Sequence, residues 1–243
     1  MDASPPGTRA ATSSRLDGAS LDLLTLLLLV GGGLGTLLFT AVYLIEGATR
    51  PGYDAWVQPI SSLSLGPGGW VQRANFVLFG VTTIGCSAIG WHRALRPGFG
   101  AIAYPVLRGV EGAALILLGF FSQDPTGGYP PGAPTPATPS LHGEIHVVLS
   151  YVGFVSLLSS LLLARRFAME PLWRGWVWPT VLFAILPIAF ITAFGATYGH
   201  APAGVFERLA SSAGLPFGLV ILARLVIQAW LGSGRRAPDG VRS

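Results

Sequence analysis

Residues 21–45 read LDLLTLLLLVGGGLGTLLFTAVYLI, and this stretch decides how the rest of the chain is read. Its only charge is Asp22, at the start. A run this long exceeds the ~20 apolar residues that cross a hydrocarbon core. It is too long for the core of a secretory signal and lacks a small-residue cleavage site, so it is expected to stay as a first span. Further apolar stretches lie at about residues 70–91, 99–121, 141–163, 176–198 and 205–231. The expectation is an all-α fold, a six-transmembrane-helix bundle over residues 21–232. Residues 1–20, rich in Ala, Ser, Pro and Gly, read as a disordered tail, and 233–243 as a second tail.

Composition supports this. Of 243 residues, 51% are hydrophobic and 11% charged, against about 25% charged in soluble domains. The net charge of +4 comes from 15 arginines and no lysine. Arg9, Arg15, Arg93, Arg96, Arg165, Arg166, Arg174, Arg235, Arg236 and Arg242 fall in the tails and alternate gaps, ten on one side. Arg50, Arg73 and Arg208 fall on the other. The positive-inside bias then places both termini in the cytoplasm of a cell-membrane protein. The arginines form no basic run with interleaved aromatics, so nucleic acid is not an expected partner, whereas membrane lipids are. Cys86 is the single cysteine, which leaves no intrachain disulfide and no cysteine-based zinc site.

Trp70, Trp91, Trp173, Trp176, Trp178 and Trp230 sit near span ends like an interfacial belt. Gly31 and Gly35 form a GxxxG that suits close helix approach, for internal packing or for a dimer contact. The two three-helix halves show no internal repeat, which weakens a transporter built from inverted repeats.

Polar variety gathers in the loops expected outside. They carry Ser61, Ser62 and Ser64, then Gln72, Arg73 and Asn75, then Asp124, His142, Glu144 and His146, and finally His200 and Glu207-Arg208. The Ser-x-Leu-Ser run, Gly-Trp-x-Gln-x-x-Asn-Phe at the start of the second span and Gly-Phe-x-x-x-Asp after the third form a set. With His142 at the fourth span and the Glu-Arg pair before the sixth, the chain resembles a prokaryotic family, domain of unknown function (DUF) 998. The resemblance runs from about residue 21 to 231. It implies a multi-pass membrane protein and supplies no reaction.

The leading expectation is a polar, outward-facing pocket for a lipid or small polar ligand, walled by Ser62, Ser64, Asn75, Asp124, His142 and Glu207. A metal-dependent lipid hydrolase is the alternative. His142 and His146, four apart, share a helix face; with Asp124 they suit zinc. Asp124, His142 and Glu207 are then the catalytic candidates, the metal-bound water attacking an ester or amide. A third reading is a non-catalytic assembly or interaction protein. The competing structural readings are direct: Asp124-Pro125 as a turn, the serines as caps, Glu207 as a first-turn carboxylate complementing the helix dipole. A haem held by His142 or His146 with His200 is disfavoured by the loop position of His200. Arg108 and Glu111, three apart near mid-span, are expected to pair inside the bundle. Leaving either alone in lipid costs about 2.5 kcal/mol or more. Arg224 is expected to snorkel to the cytoplasmic boundary.

Overall fold

The computed structural model describes Leu16 and residues 20–234. Arg9, Arg15, Arg235, Arg236 and Arg242 lie outside the described residues, as do nearly all of both expected tails. The protein is all-helical, 75% helix, with no strand among the described residues.

Helix α1 (Leu23–Thr49) begins where the Asp22 carboxylate accepts the Thr25 N–H at 2.7 Å. Helix α2 (Gly69–Leu95) contains a π-helical turn, Thr83–Ala88. Helix α3 spans Ala103–Leu118. Helix α4 (Leu141–Ala168) is capped by Ser140, whose hydroxyl accepts the Gly143 N–H at 3.0 Å, and tightens into a 3-10 turn at Leu157–Ser159. Helix α5 (Pro171–Thr197) opens with a 3-10 turn and carries Pro187 inside. Helix α6 (Ala203–Gly232) breaks between Ser212 and Gly214.

Each helix packs on the next, and α6 returns to α1, so the six form a closed ring. Glycines set the closest approaches. Gly31 and Gly32 face Cys86 and Ser87 of the π-helical turn, and Gly35 faces Thr82. A Cβ on Gly32 would lie 3.0 Å from the Ser87 Cα. The first-span glycine motif thus serves internal packing of α1 on α2. At the α2–α3 crossing a Cβ on Gly112 would stand 2.8 Å from the Gly80 carbonyl oxygen.

Five helices, not six, are long and apolar enough to cross a membrane, and α3 is the exception. Its 16 residues rise about 24 Å, short of a hydrocarbon core of about 30 Å. The apolar stretch at 99–121 overstated the helix, because residues 99–102 are turn and 119–121 leave helical geometry. Only 17% to 39% of each apolar window is buried within the bundle. Leu23, Leu27, Val148, Ile185 and Val220 point outward. Soluble monomers rarely expose a contiguous apolar surface of this kind; lipid covers it at no cost.

The two ends differ. At the end holding the chain termini, Leu16 is fully buried and its carbonyl accepts the Trp173 indole N–H at 2.9 Å. Arg93 pairs with Asp22 at 2.7 Å and Arg166 with Glu170 at 2.9 Å. Arg224 donates to the Leu172 carbonyl and lies 4.8 Å over the Trp173 ring. The opposite end carries the long loops.

Candidate functional site

At the loop end, the chain after Pro59 makes a 3-10 segment, Ile60–Ser64, all five of its residues buried. The first amides of any helical turn lack partners within it, and Pro59 offers no side-chain cap. Glu207 of α6 fills that need from a distant part of the chain. Its Oε2 accepts the Ile60 N–H, and its Oε1 lies 3.5 Å from the Ser61 hydroxyl that donates to it. The carboxylate therefore caps this segment; its own helix starts at Ala203, so Glu207 lies past the first turn and the expected first-turn dipole role is not met.

Arg208 works on the neighbouring loop. Its Nη1 donates to the carbonyls of Gly204 (2.7 Å), Ala55 (3.1 Å) and Gln58 (3.1 Å), and its Nη2 donates to the Tyr53 hydroxyl. The Tyr53 O–H in turn faces the carbonyls of Pro59 at 2.9 Å and Gln58 at 3.1 Å. Burial raises the Tyr53 hydroxyl pKa above its ordinary value, with nearby Arg208 opposing the rise. A Cβ on Gly204 would strike the Ala55 and Gln58 carbonyls, so a glycine is needed where α6 meets this loop.

Other polar residues at this end fasten loops and helices. Gln58 Nε2 donates to the Gly127 carbonyl at 2.7 Å, and Gln123 Nε2 to the Ser62 hydroxyl. The Ser64 hydroxyl donates to the Ser61 carbonyl at 2.6 Å. Asn75 Nδ2 donates to the Phe39 carbonyl at 3.1 Å, tying α2 to α1. Asp124 accepts both the N–H (2.9 Å) and the hydroxyl (2.6 Å) of Ser140, locking the second loop onto the N-terminus of α4.

His142 and His146 do not act together. His142 is exposed and its ring sits 5.2 Å from that of Phe121. His146 is buried, with Nδ1 2.7 Å from the Phe121 carbonyl oxygen, so that nitrogen is the donor. Asp124 is occupied with Ser140. Among the described residues no group of three His, Cys, Asp or Glu side chains is placed to hold a metal ion. The expected ligand set of Asp124, His142 and His146 is thus not assembled: Asp124 caps one helix while the two imidazoles serve different surroundings.

A cavity of about 250 Å³ lies inside the ring, reaching from Ser61 and Glu207 at the loop end to Leu163 and Leu225 toward the other. Arg108 and Glu111 of α3 stand in its wall, with Arg108 Nη1 donating to Glu111 Oε2. Of the expected pocket wall, Glu207 lines this space, while Ser62, Ser64, Asn75, Asp124 and His142 are not among its lining residues. Ser62, Ser64 and Asp124 brace the loops instead, Asn75 ties α2 to α1, and His142 is exposed. The wall also includes Ser61, Thr36, Ser87 and Ser150, which sequence reading missed. Ser61 belonged to the serine cluster already noted, but only the 3-10 geometry decides which serine faces inward.

A ring of apolar helices with an apolar exterior and a charged pair inside is an integral, multi-pass membrane protein. The chain belongs to DUF998, a family of proteins of unknown function, whose family model matches residues 33–231. No curated protein and no solved structure matches it.

Proposed function

We propose that the protein crosses the cell membrane six times with both termini cytoplasmic, and that its central cavity binds a lipid or a small polar ligand. The arginine bias supports the orientation, since ten arginines fall in the tails and gaps at the terminal end. Helix α3 is the sixth crossing. It is short, but it packs between α2 and α4, and Gly119, Gln123 and Thr126 beyond its outer end are buried, with Phe120 turned outward. Irregular backbone at membrane depth is tolerated where protein buries it.

The observation that carries the ligand reading is the cavity itself, largely apolar yet holding Arg108, Glu111, Ser61 and Glu207 in its wall. Ligand sites combine an apolar lining with a few convergent polar groups in this way. The hydrolase alternative has no comparable observation, because Asp124 and His146 are committed to Ser140 and the Phe121 carbonyl.

Gly153 and Gly218 line the cavity, and a Cβ on either meets nothing within 4 Å. Gly153→Leu and Gly218→Leu therefore add bulk without a backbone clash. Mass spectrometry of the small molecules co-purifying with the protein in mild detergent tests the reading. At least a severalfold loss of a specific species in either variant is expected. An identical set in wild type and both variants overturns it.

A further inference from the structure

The geometry points to a single-chain anionic amphiphile as the ligand of the central cavity, its carboxylate or phosphate head seated on Arg108. This deepens the proposal above and rests on the cavity being a ligand site.

Size selects one chain. The volume of about 250 Å³ falls below the ~300–1,000 Å³ of typical ligand sites. The space is also long. Its lining on α1 runs from Leu29 to Phe39 and on α6 from Glu207 to Leu225, rises of about 15 and 27 Å at 1.5 Å per residue. A slot of that shape accepts one extended chain and leaves no room for the paired tails of a bilayer phospholipid.

Polarity gives the ligand a head. Phe39, Phe76 and Leu118 line the part nearer the loops, and Leu163, Leu222 and Leu225 the part nearer the termini. Arg108 and Glu111 interrupt this apolar lining from α3.

Charge gives the head its sign. Both acids of the wall already have donors: Glu207 holds the Ile60 amide and the Ser61 hydroxyl, and Glu111 holds Arg108. Arg108 is less fully used. Its Nε is shielded from water and has no partner, and it is the only such atom among the polar side chains lining the cavity in the described residues. A guanidinium presents five N–H donors in a planar fork matched to carboxylate and phosphate oxygens. The Arg108–Glu111 pair also lies within one helix, so it joins no two elements. Burying two charges is costly unless further bonds compensate, and no tertiary link does so here. The Nη side of the guanidinium is what an incoming anion meets, Nε itself being shielded, and the anion adds the acceptor that the pair lacks.

The test uses the full chain in lipid nanodiscs and four probes with the same oleyl-length tail: oleate, oleoyl lysophosphatidate, oleyl alcohol and oleylamine. Wild type is expected to bind oleate or the lysophosphatidate at least tenfold tighter than the alcohol and the amine. Preference between the two anions assigns the head as carboxylate or phosphate. R108Q alone strands the Glu111 carboxylate, so the neutral pair R108Q/E111Q is made beside it, with thermal unfolding to confirm that the fold is kept. The double variant should lose the anion preference while its affinity for the alcohol stays unchanged, and E111Q should tighten anion binding by freeing Arg108. Anion preference surviving in R108Q/E111Q overturns the inference, as does tightest binding of oleylamine or equal binding of all four probes by wild type. Binding of none of the four overturns this inference, and the ligand reading then stands or falls on the co-purification test; equal binding leaves that reading standing.

Discussion

Glu207 and Arg208 are adjacent in sequence and serve two different stretches of the first loop. The acid takes the free amides that begin Ile60–Ser64, and the guanidinium takes the carbonyls of Ala55 and Gln58. Tyr53 completes the second set, accepting from Arg208 and donating toward Pro59 and Gln58. Tyr53→Phe leaves these groups buried and short of a partner, a loss of about 1–3 kcal/mol, measurable as a lower unfolding midpoint in detergent at neutral pH. The pH dependence has a definite sign. The folded pKa of Tyr53 is raised above the unfolded value near 10, so the protonated hydroxyl contributes its full stability below about pH 10. That contribution is lost as pH rises through the folded value, and the gap between wild type and Tyr53→Phe should then narrow. A gap that widens with alkali contradicts the assignment. Sequence marked Glu207, Asp124 and the histidines as chemically notable, and of these Glu207, Asp124 and His146 are engaged while His142 and His200 are exposed. It could not distinguish a ligand role from a capping role, because that depends on which distant amide or carbonyl each side chain meets.

Helices meet in this protein through missing side chains. Gly80 and Gly112 let the backbones of α2 and α3 approach closely, and a Cβ on Gly80 would collide with the Gly112 carbonyl. Gly80→Ala should destabilise the bundle by about 1–3 kcal/mol, the usual range for overpacking. Gly109, on the same helix α3, has open space around its would-be Cβ. Gly109→Ala should leave stability unchanged or raise it by up to about 1 kcal/mol through helix propensity. Thermal unfolding of the two variants side by side checks the pair, and equal losses would refute it. The GxxxG of the first span was readable as a close-approach motif. Its partners Cys86 and Thr82 were not, because Cys86 sits in, and Thr82 directly before, a π-helical turn whose register a periodicity of 3.6 does not anticipate. The ends of α3 were equally hidden: apolar residues continue past both, and hydropathy does not register where the backbone leaves the helix.

At the scale of the molecule, apolar spans and arginine placement made the membrane class readable from sequence, whereas the cavity was not. It arises from six helices closing into a ring, and its wall draws on residues from Leu29 to Leu225. Topology is directly testable. In a Cys86→Ser background, Ser14→Cys and Ser243→Cys should react with membrane-impermeant maleimide only after the cell is opened. Thr135→Cys, in the second long loop, should react in intact cells. Labelling of position 14 or 243 from outside would reverse the proposed orientation and put the loop network in the cytoplasm.

The brevity of α3 reaches beyond the protein. Val106, Val110 and Leu117 on its outer side are exposed toward lipid along a helix of only 16 residues. On the six-crossing arrangement, acyl chains beside it must shorten to match, at a cost of fractions of a kcal/mol per ångström of mismatch. On that arrangement the surrounding bilayer is expected to thin on this one flank, and short-chain lipids to collect there.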